Sequence, residues 1–183
     1  VTDGTTDLYL FGSIHVAEET IYPFDEIIEN AYEKSDYLAV EVDVLSFQEK
    51  MLADTELQME VAPYMYYLDG GTIEDVIGAE LFEKGKKVFE DNPQGITGDM
   101  LAICKPYTWT SLLTGIASEK AGLKAEDGVD MHFLKRAHES GKEVLEVESI
   151  QSQLEVFENY SDEVNKYQLG EALDVENAAT ELK

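Results

Sequence analysis

Leu8-Tyr9-Leu10-Phe11-Gly12-Ser13-Ile14-His15 is the stretch on which the reading of this chain turns. It reads as a buried strand over about Asp7 to Gly12, stopped by a glycine, with a histidine delivered just past its end. In open α/β sheets, ligands collect outside the carboxyl ends of the strands, so His15 stands where a reactive group is expected. Upstream, Asp3-Gly4 marks a turn, and Val1 to Thr6 reads as a hairpin with most of its first strand missing. The chain opens at Val1 without a methionine, almost directly in a strand, and so reads as a trimmed or mature fragment whose precursor's signal is not visible.

Downstream, Phe24, Ile27, Ile28 and Ala31 recur at helical spacing, and Pro23 sits near the helix start, where its missing N–H costs nothing. Ser35-Asp36 ends this helix. Tyr37-Leu38-Ala39-Val40-Glu41-Val42-Asp43 follows as a second strand, continuously apolar at first, as in strands covered on both faces. Strand, helix and strand over this length make a βαβ unit with parallel strands and a right-handed crossover. His15 and the pair Glu41/Asp43 are then neighbours on one sheet edge. From about Leu45 to Leu123 the pattern is mainly helical, broken at Asp69-Gly70-Gly71-Thr72, Asn92-Pro93-Gln94-Gly95 and Lys105-Pro106. A helix from Gly128-Val129-Asp130 through His138 stops at Ser140-Gly141. Lys142 to Glu148 is a third strand, and Ser149 and Ser161 cap two closing helices. The fold class expected is α/β: a mixed, partly parallel sheet flanked by helices, with a large helical insertion between strands two and three. No linker marks a second domain within residues 1–183.

Thirteen basic residues stand against 39 acidic ones, a net charge of −26. Nucleic-acid binding requires Lys and Arg to displace counterions from phosphates, so that class is rejected. An anionic bilayer should also repel the chain, although a lipid anchor outside it would hold it. No run reaches the roughly 18 apolar residues of a membrane span. The single Cys104 excludes an internal disulfide and a cysteine-based zinc site, and its apolar neighbours Met100 to Ile103 place it in the interior.

Walker, G-x-G-x-x-G, H-E-x-x-H and G-x-S-x-G patterns are all missing. The chemistry-bearing residues left are at the sheet edge: His15, then Glu41 and Asp43, then Glu146 and Glu148. One histidine with two carboxylates suits a divalent metal with mixed N/O ligation, which would make a bound water nucleophilic. Without metal, a His–Glu pair suits a general base and its orienter. The plain alternative has His15 bonded to a loop carbonyl and the glutamates in solvent. His132 and His138, six residues apart on one helix, face different ways and read as surface residues. Asp130 reads most simply as a helix N-cap. Lys105 suits either a surface lysine or a holder of an anion or substrate carboxylate. Tyr64-Met65-Tyr66-Tyr67 suits packing or the lining of a peptide groove. Gln153 either reaches back toward Glu148 or faces water.

These residues give the chain a resemblance to the TraB/GumN family, which includes the Tiki metalloproteases and relates more distantly to the erythromycin-esterase and ChaN-like fold. Phe11-Gly12-Ser13-Ile14-His15-Val16 resembles the family's first G-x-x-H motif. Ala39 to Asp43 resembles its strand ending on Glu, and Lys105-Pro106 its mid-chain K-P. Gly128-Val129-Asp130, Leu134, Ala137, Val147-Glu148-Ser149 and Gln153 resemble its G-[IV]-D…A…L-E-[ST]…Q block. The resemblance implies an α/β fold of two related halves with the active site between two G-x-x-H motifs, a Glu and a downstream Arg or Asn. It implies catalytic His15, Glu41 and Glu148, with His15 and Glu41 holding a divalent metal (Mn²⁺, Co²⁺, Fe²⁺ or Zn²⁺). Gly12, Asp43, Lys105, Asp130 and Gln153 would support or bind substrate.

No second G-x-x-H follows Gln153, and no arginine follows Arg136. The chain is therefore expected to be the N-terminal part of a TraB/GumN-type domain and inactive, or nearly so, alone. The function implied is that of a metal-dependent hydrolase or peptidase acting on peptides. The other class is a non-catalytic protein that binds a peptide or small ligand, as in pheromone shutdown or haem binding. The setting implied is extracellular, a lipid-anchored bacterial protein, with homo-oligomers among the expected assemblies.

Overall fold

The computed structural model describes residues 1–92 and 98–182. In chain order the elements are α1 (Glu26–Lys34), β1 (Tyr37–Val40), α2 (Val44–Ala53), α3 (Thr55–Met65), α4 (Ile73–Ile77), α5 (Ala79–Asp91), α6 (Gly98–Ile103), α7 (Pro106–Ala121), α8 (Val129–Ser140), β2 (Glu143–Glu146), α9 (Ile150–Glu158), α10 (Asp162–Ala172) and α11 (Val175–Glu181). This is an α/β fold with a small parallel sheet flanked mainly by helices, and a helical insertion separates the strands. The chain forms two compact units: Val1–Glu49 with Leu123–Glu148, and Lys50–Gly122 with Ser149–Lys183. Both are discontinuous in sequence, so a linker would not announce them.

In the first unit β1 and β2 pair in parallel, Tyr37 opposite Glu143 and Val40 opposite Glu146, and α8 packs against both strands. Asp25 caps α1 by accepting the Ile27 N–H at 2.9 Å; Pro23 lies before the cap rather than in the helix. Ile28, Ala31 and Tyr32 of α1 are half-buried, whereas Ile27 is exposed. The side chain of Arg136 joins α8 to α1, reaching Glu29 at 2.7 Å and Glu33 at 2.8 Å over the Tyr32 ring. Lys142 donates to the Tyr32 and Ser35 carbonyls at the end of α1, satisfying oxygens that a helix C-terminus leaves open.

The expected first strand is not formed. Residues 8–14 carry no regular secondary structure, and Leu8, Tyr9, Leu10, Phe11 and Ile14 are exposed, Leu10 by 80%. Thr2 and Asp7 make only an isolated antiparallel bridge around the Asp3-Gly4 turn. Strand propensity mostly expresses packing against neighbours, and here the apolar sequence finds no neighbouring edge. Nor is β1 covered on both faces: Tyr37 is exposed, as is Leu145 of β2.

The second unit is helical around Trp109, Ile73, Leu113, Ile116, Leu169 and Cys104. Trp109 lies between Phe82 and Phe89, and its indole N–H donates to the Leu101 carbonyl at 2.8 Å. Cys104 is fully buried, and burial pushes its thiol up to about 11, far from the thiolate form. Within the stretch expected to be mainly helical, a further break falls at Asp54, whose carboxylate caps α3 by accepting the Glu56 and Leu57 N–H groups. Ser149 and Ser161 cap their helices as expected, and Thr72 caps α4. Among the described residues, no helix is long and apolar enough to cross a membrane. The break expected at Asn92-Pro93-Gln94-Gly95 lies largely outside the described residues.

Candidate functional site

The parallel ladder runs on past its strands. Val147 N–H donates to the Val40 carbonyl at 2.9 Å, and Glu148 N–H to the Glu41 carbonyl at 3.0 Å. Glu41 and Glu148 are thus brought side by side at the carboxyl rim of the sheet, both exposed. Two residues on, the chain turns inward. Asp43 is only 7% exposed, and its carboxylate accepts the Ser46 N–H at 3.1 Å and the Ser46 hydroxyl at 2.8 Å. His138 Nε2 lies 2.8 Å from the same carboxylate, and Glu146 accepts the Asp43 N–H at 2.8 Å. Burial alone would raise the Asp43 carboxyl, but the Ser46 N–H, the Ser46 hydroxyl and His138 together hold it below the ordinary value.

His15 is placed by α8 instead of by a strand. Its Nδ1 lies 2.9 Å from Asp130 Oδ2; the imidazole is 70% exposed and the carboxylate 18%. Asp130 stands in the first turn of α8, where a carboxylate complements the helix dipole; the N-cap position itself belongs to Gly128. Ala17 is buried and exchanges backbone hydrogen bonds with Lys124 at 3.0 and 2.9 Å, which anchors the loop after His15. Phe11, Phe24 and Phe133 pack ring against ring as an aromatic group. The expected neighbour of His15 was the Glu41 edge; with no first strand, its observed partner is Asp130. Gly12 is exposed in the irregular segment.

Helix α8 therefore carries two His–Asp pairs. Asp130, Leu134 and His138 follow at four-residue spacing and share one face, with Leu134 fully buried between the polar pair. That spacing was visible in the sequence, although His138 at its end stays exposed, with only its Nε2 on Asp43; Asp43 and Ser46, three apart, likewise signal a cap. His132 is on another face, stacked on the Tyr22 ring at 4.0 Å. Burial, then Arg136, lowers its pKa. His132 is half-buried rather than a plain surface residue, whereas His138 is exposed as expected, with its Nε2 bonded to Asp43.

Lys105 and Gln153 belong to the second unit. Lys105 is 16% exposed and pairs with Glu158 at 2.6 Å, near the Tyr67 ring. Burial, with Glu158, Asp162, Asp69 and Asp75 behind it, pushes the Tyr67 hydroxyl up to about 12. Lys105 is a partnered cation at the start of α7. Tyr66 and Tyr67 pack against the core of this unit, and Gln153 is half-buried in α9.

Among the described residues, no three His, Cys, Asp or Glu side chains are arranged to hold a metal ion. His15 with Asp130 supplies two donors, short of the three protein ligands of catalytic metal sites, so these residues do not by themselves fit a metal. Two surface concavities in the first unit, of about 280 and 640 Å³, are lined by Tyr9, Ile27 and Ala31 and by Tyr32, Arg136 and Lys142 among others; neither includes His15, Glu41 or Glu148.

A family model described as the TraB/PrgY/gumN family matches residues 1–183. The chain is 24% identical over 151 residues to an uncharacterized protein, YbaP, of Escherichia coli K12, and to its counterpart in Shigella flexneri. In both cases the match covers 82% of this chain and 52% of the relative, so the chain spans about half the length of the relatives it matches. No solved structure matches it.

Proposed function

The chain belongs to the TraB/PrgY/gumN family, and from that premise we propose that it contributes a general base, His15, to a hydrolase acting on peptides. The carrying observation is the 2.9 Å contact between His15 Nδ1 and Asp130 Oδ2, which joins two separate motifs of the sequence into one dyad. With Nδ1–H donating to the carboxylate, Nε2 becomes the basic atom. It takes a proton from water as that water attacks a peptide carbonyl, and returns it to the leaving amine. Asp130 holds the ring and stabilises the imidazolium that forms. The same carboxylate–histidine arrangement also orients imidazoles that ligate metals. Glu41 and Glu148, adjacent at the sheet rim, are the next candidates for orienting substrate or water.

In the complete protein, His15→Gln is expected to lower peptide turnover by about 10²- to 10⁴-fold, measured as new termini by mass spectrometry. Unchanged turnover removes the proposal. A second reading, capture of a peptide without cleavage, draws on the exposed apolar side chains of Leu8, Leu10 and Ile14; stoichiometric binding with no new termini would favour it.

A further inference from the structure

We propose that Gly128 is a positioning residue for His15: its bare Cα is the seat on which the His15 backbone rests, and that seat holds the imidazole against Asp130. The inference deepens the reading of His15 as the functional base and rests on it for its consequence, while the geometry stands independently.

Gly128 adopts φ −57° and ψ 150°, a conformation open to every residue, so backbone freedom does not call for glycine here. Space does. A Cβ on Gly128 would lie 2.6 Å from the His15 carbonyl oxygen, 2.8 Å from its carbonyl carbon and 2.8 Å from Asp130 Oδ1. Two of these three atoms are backbone, so no rotamer change relieves the clash. The loop cannot slide aside either. Val129 N–H donates to the Ile14 carbonyl at 2.8 Å, and the reciprocal Ala17–Lys124 bonds close the other side. A single methyl must therefore lift the His15 carbonyl and carry the ring off the carboxylate. The contrast with Gly12 is informative, since a Cβ there would meet nothing within 4 Å. Of the two motif glycines, Gly128 is the one with its Cβ position taken by the histidine's own backbone.

The test reads the imidazole directly. ¹⁵N NMR at about pH 8, where an ordinary histidine is neutral, reports which ring nitrogen carries the proton. The wild-type chain is expected to show His15 as the Nδ1–H tautomer held by Asp130. Gly128→Ala is expected to lose that signature, as Asp130→Asn does, with the fold of the first unit followed by its amide NMR spectrum. Retention of the Nδ1–H signature in Gly128→Ala overturns the proposal. The wild-type protein gives a second measurement should the variant not fold: slow exchange of the Val129 amide supports the seat, and exchange at the rate of an open loop overturns it. Loss of the tautomer in Gly128→Ala, with no peptide turnover by the complete wild-type protein, would end the hydrolase reading and leave this one standing.

Discussion

Asp43 links three parts of the first unit: its carboxylate holds the start of α2 and the end of α8, and its N–H donates to Glu146 of β2. Asp43→Ala removes a helix cap and leaves His138 without its acceptor, and should cost about 1–3 kcal/mol in urea denaturation. The pH dependence has a definite sign. The carboxyl is held below its ordinary value in the folded chain, so its contribution is complete above the unfolded value of about 3.9 and is lost as pH falls through the folded one. Stability of the wild type should decline on acidification, and Asp43→Asn should decline less steeply between about pH 5 and pH 3. At this scale the sequence showed which residues carry chemistry, because polar groups after strands and at helix starts are conspicuous. It did not show their partners. Asp130 reads locally as a cap, and only the approach of residue 15 makes it the holder of an imidazole.

Helix packing sets the next level. In the second unit, a Cβ on Gly85 of α5 would sit 2.1 Å from the Trp109 ring of α7. Alanine is the better helix former by about 1 kcal/mol, yet Gly85→Ala should destabilise by about 1–3 kcal/mol, because an overpacked core shifts rings and backbone. A rise in the urea midpoint would refute the close approach. In the first unit Arg136 ties α8 to α1 through Glu29 and Glu33. Arg136→Lys keeps the charge but cannot span both carboxylates over the Tyr32 ring, and should cost about 1 kcal/mol, mostly lost at high salt. The helices of the insertion were largely legible from breakers and capping residues, and β1 from its apolar run. The segment from Leu8 to Phe11 was not, because a strand needs a partner edge as well as the right residues.

Across the whole chain, 39 acidic residues against 13 basic ones leave a self-repelling charge of −26. Screening should relieve it: raising NaCl from about 0.02 to 0.5 M is expected to increase the Tm by several degrees, and a flat or falling Tm would show that the charge is already balanced locally. Composition, charge and the order of the elements from α1 onward were set largely by the sequence alone, since they follow from local propensity, caps and hydrophobic period. The family resemblance was equally readable, being a matter of spaced motifs. Tertiary structure alone decided that the chain closes into two discontinuous units, that the first apolar stretch stays unpaired, and that His15 meets Asp130 while Asp43 meets His138. Those outcomes depend on which surfaces, 95 to 115 residues apart in the chain, find each other, and no local pattern encodes a contact at that separation.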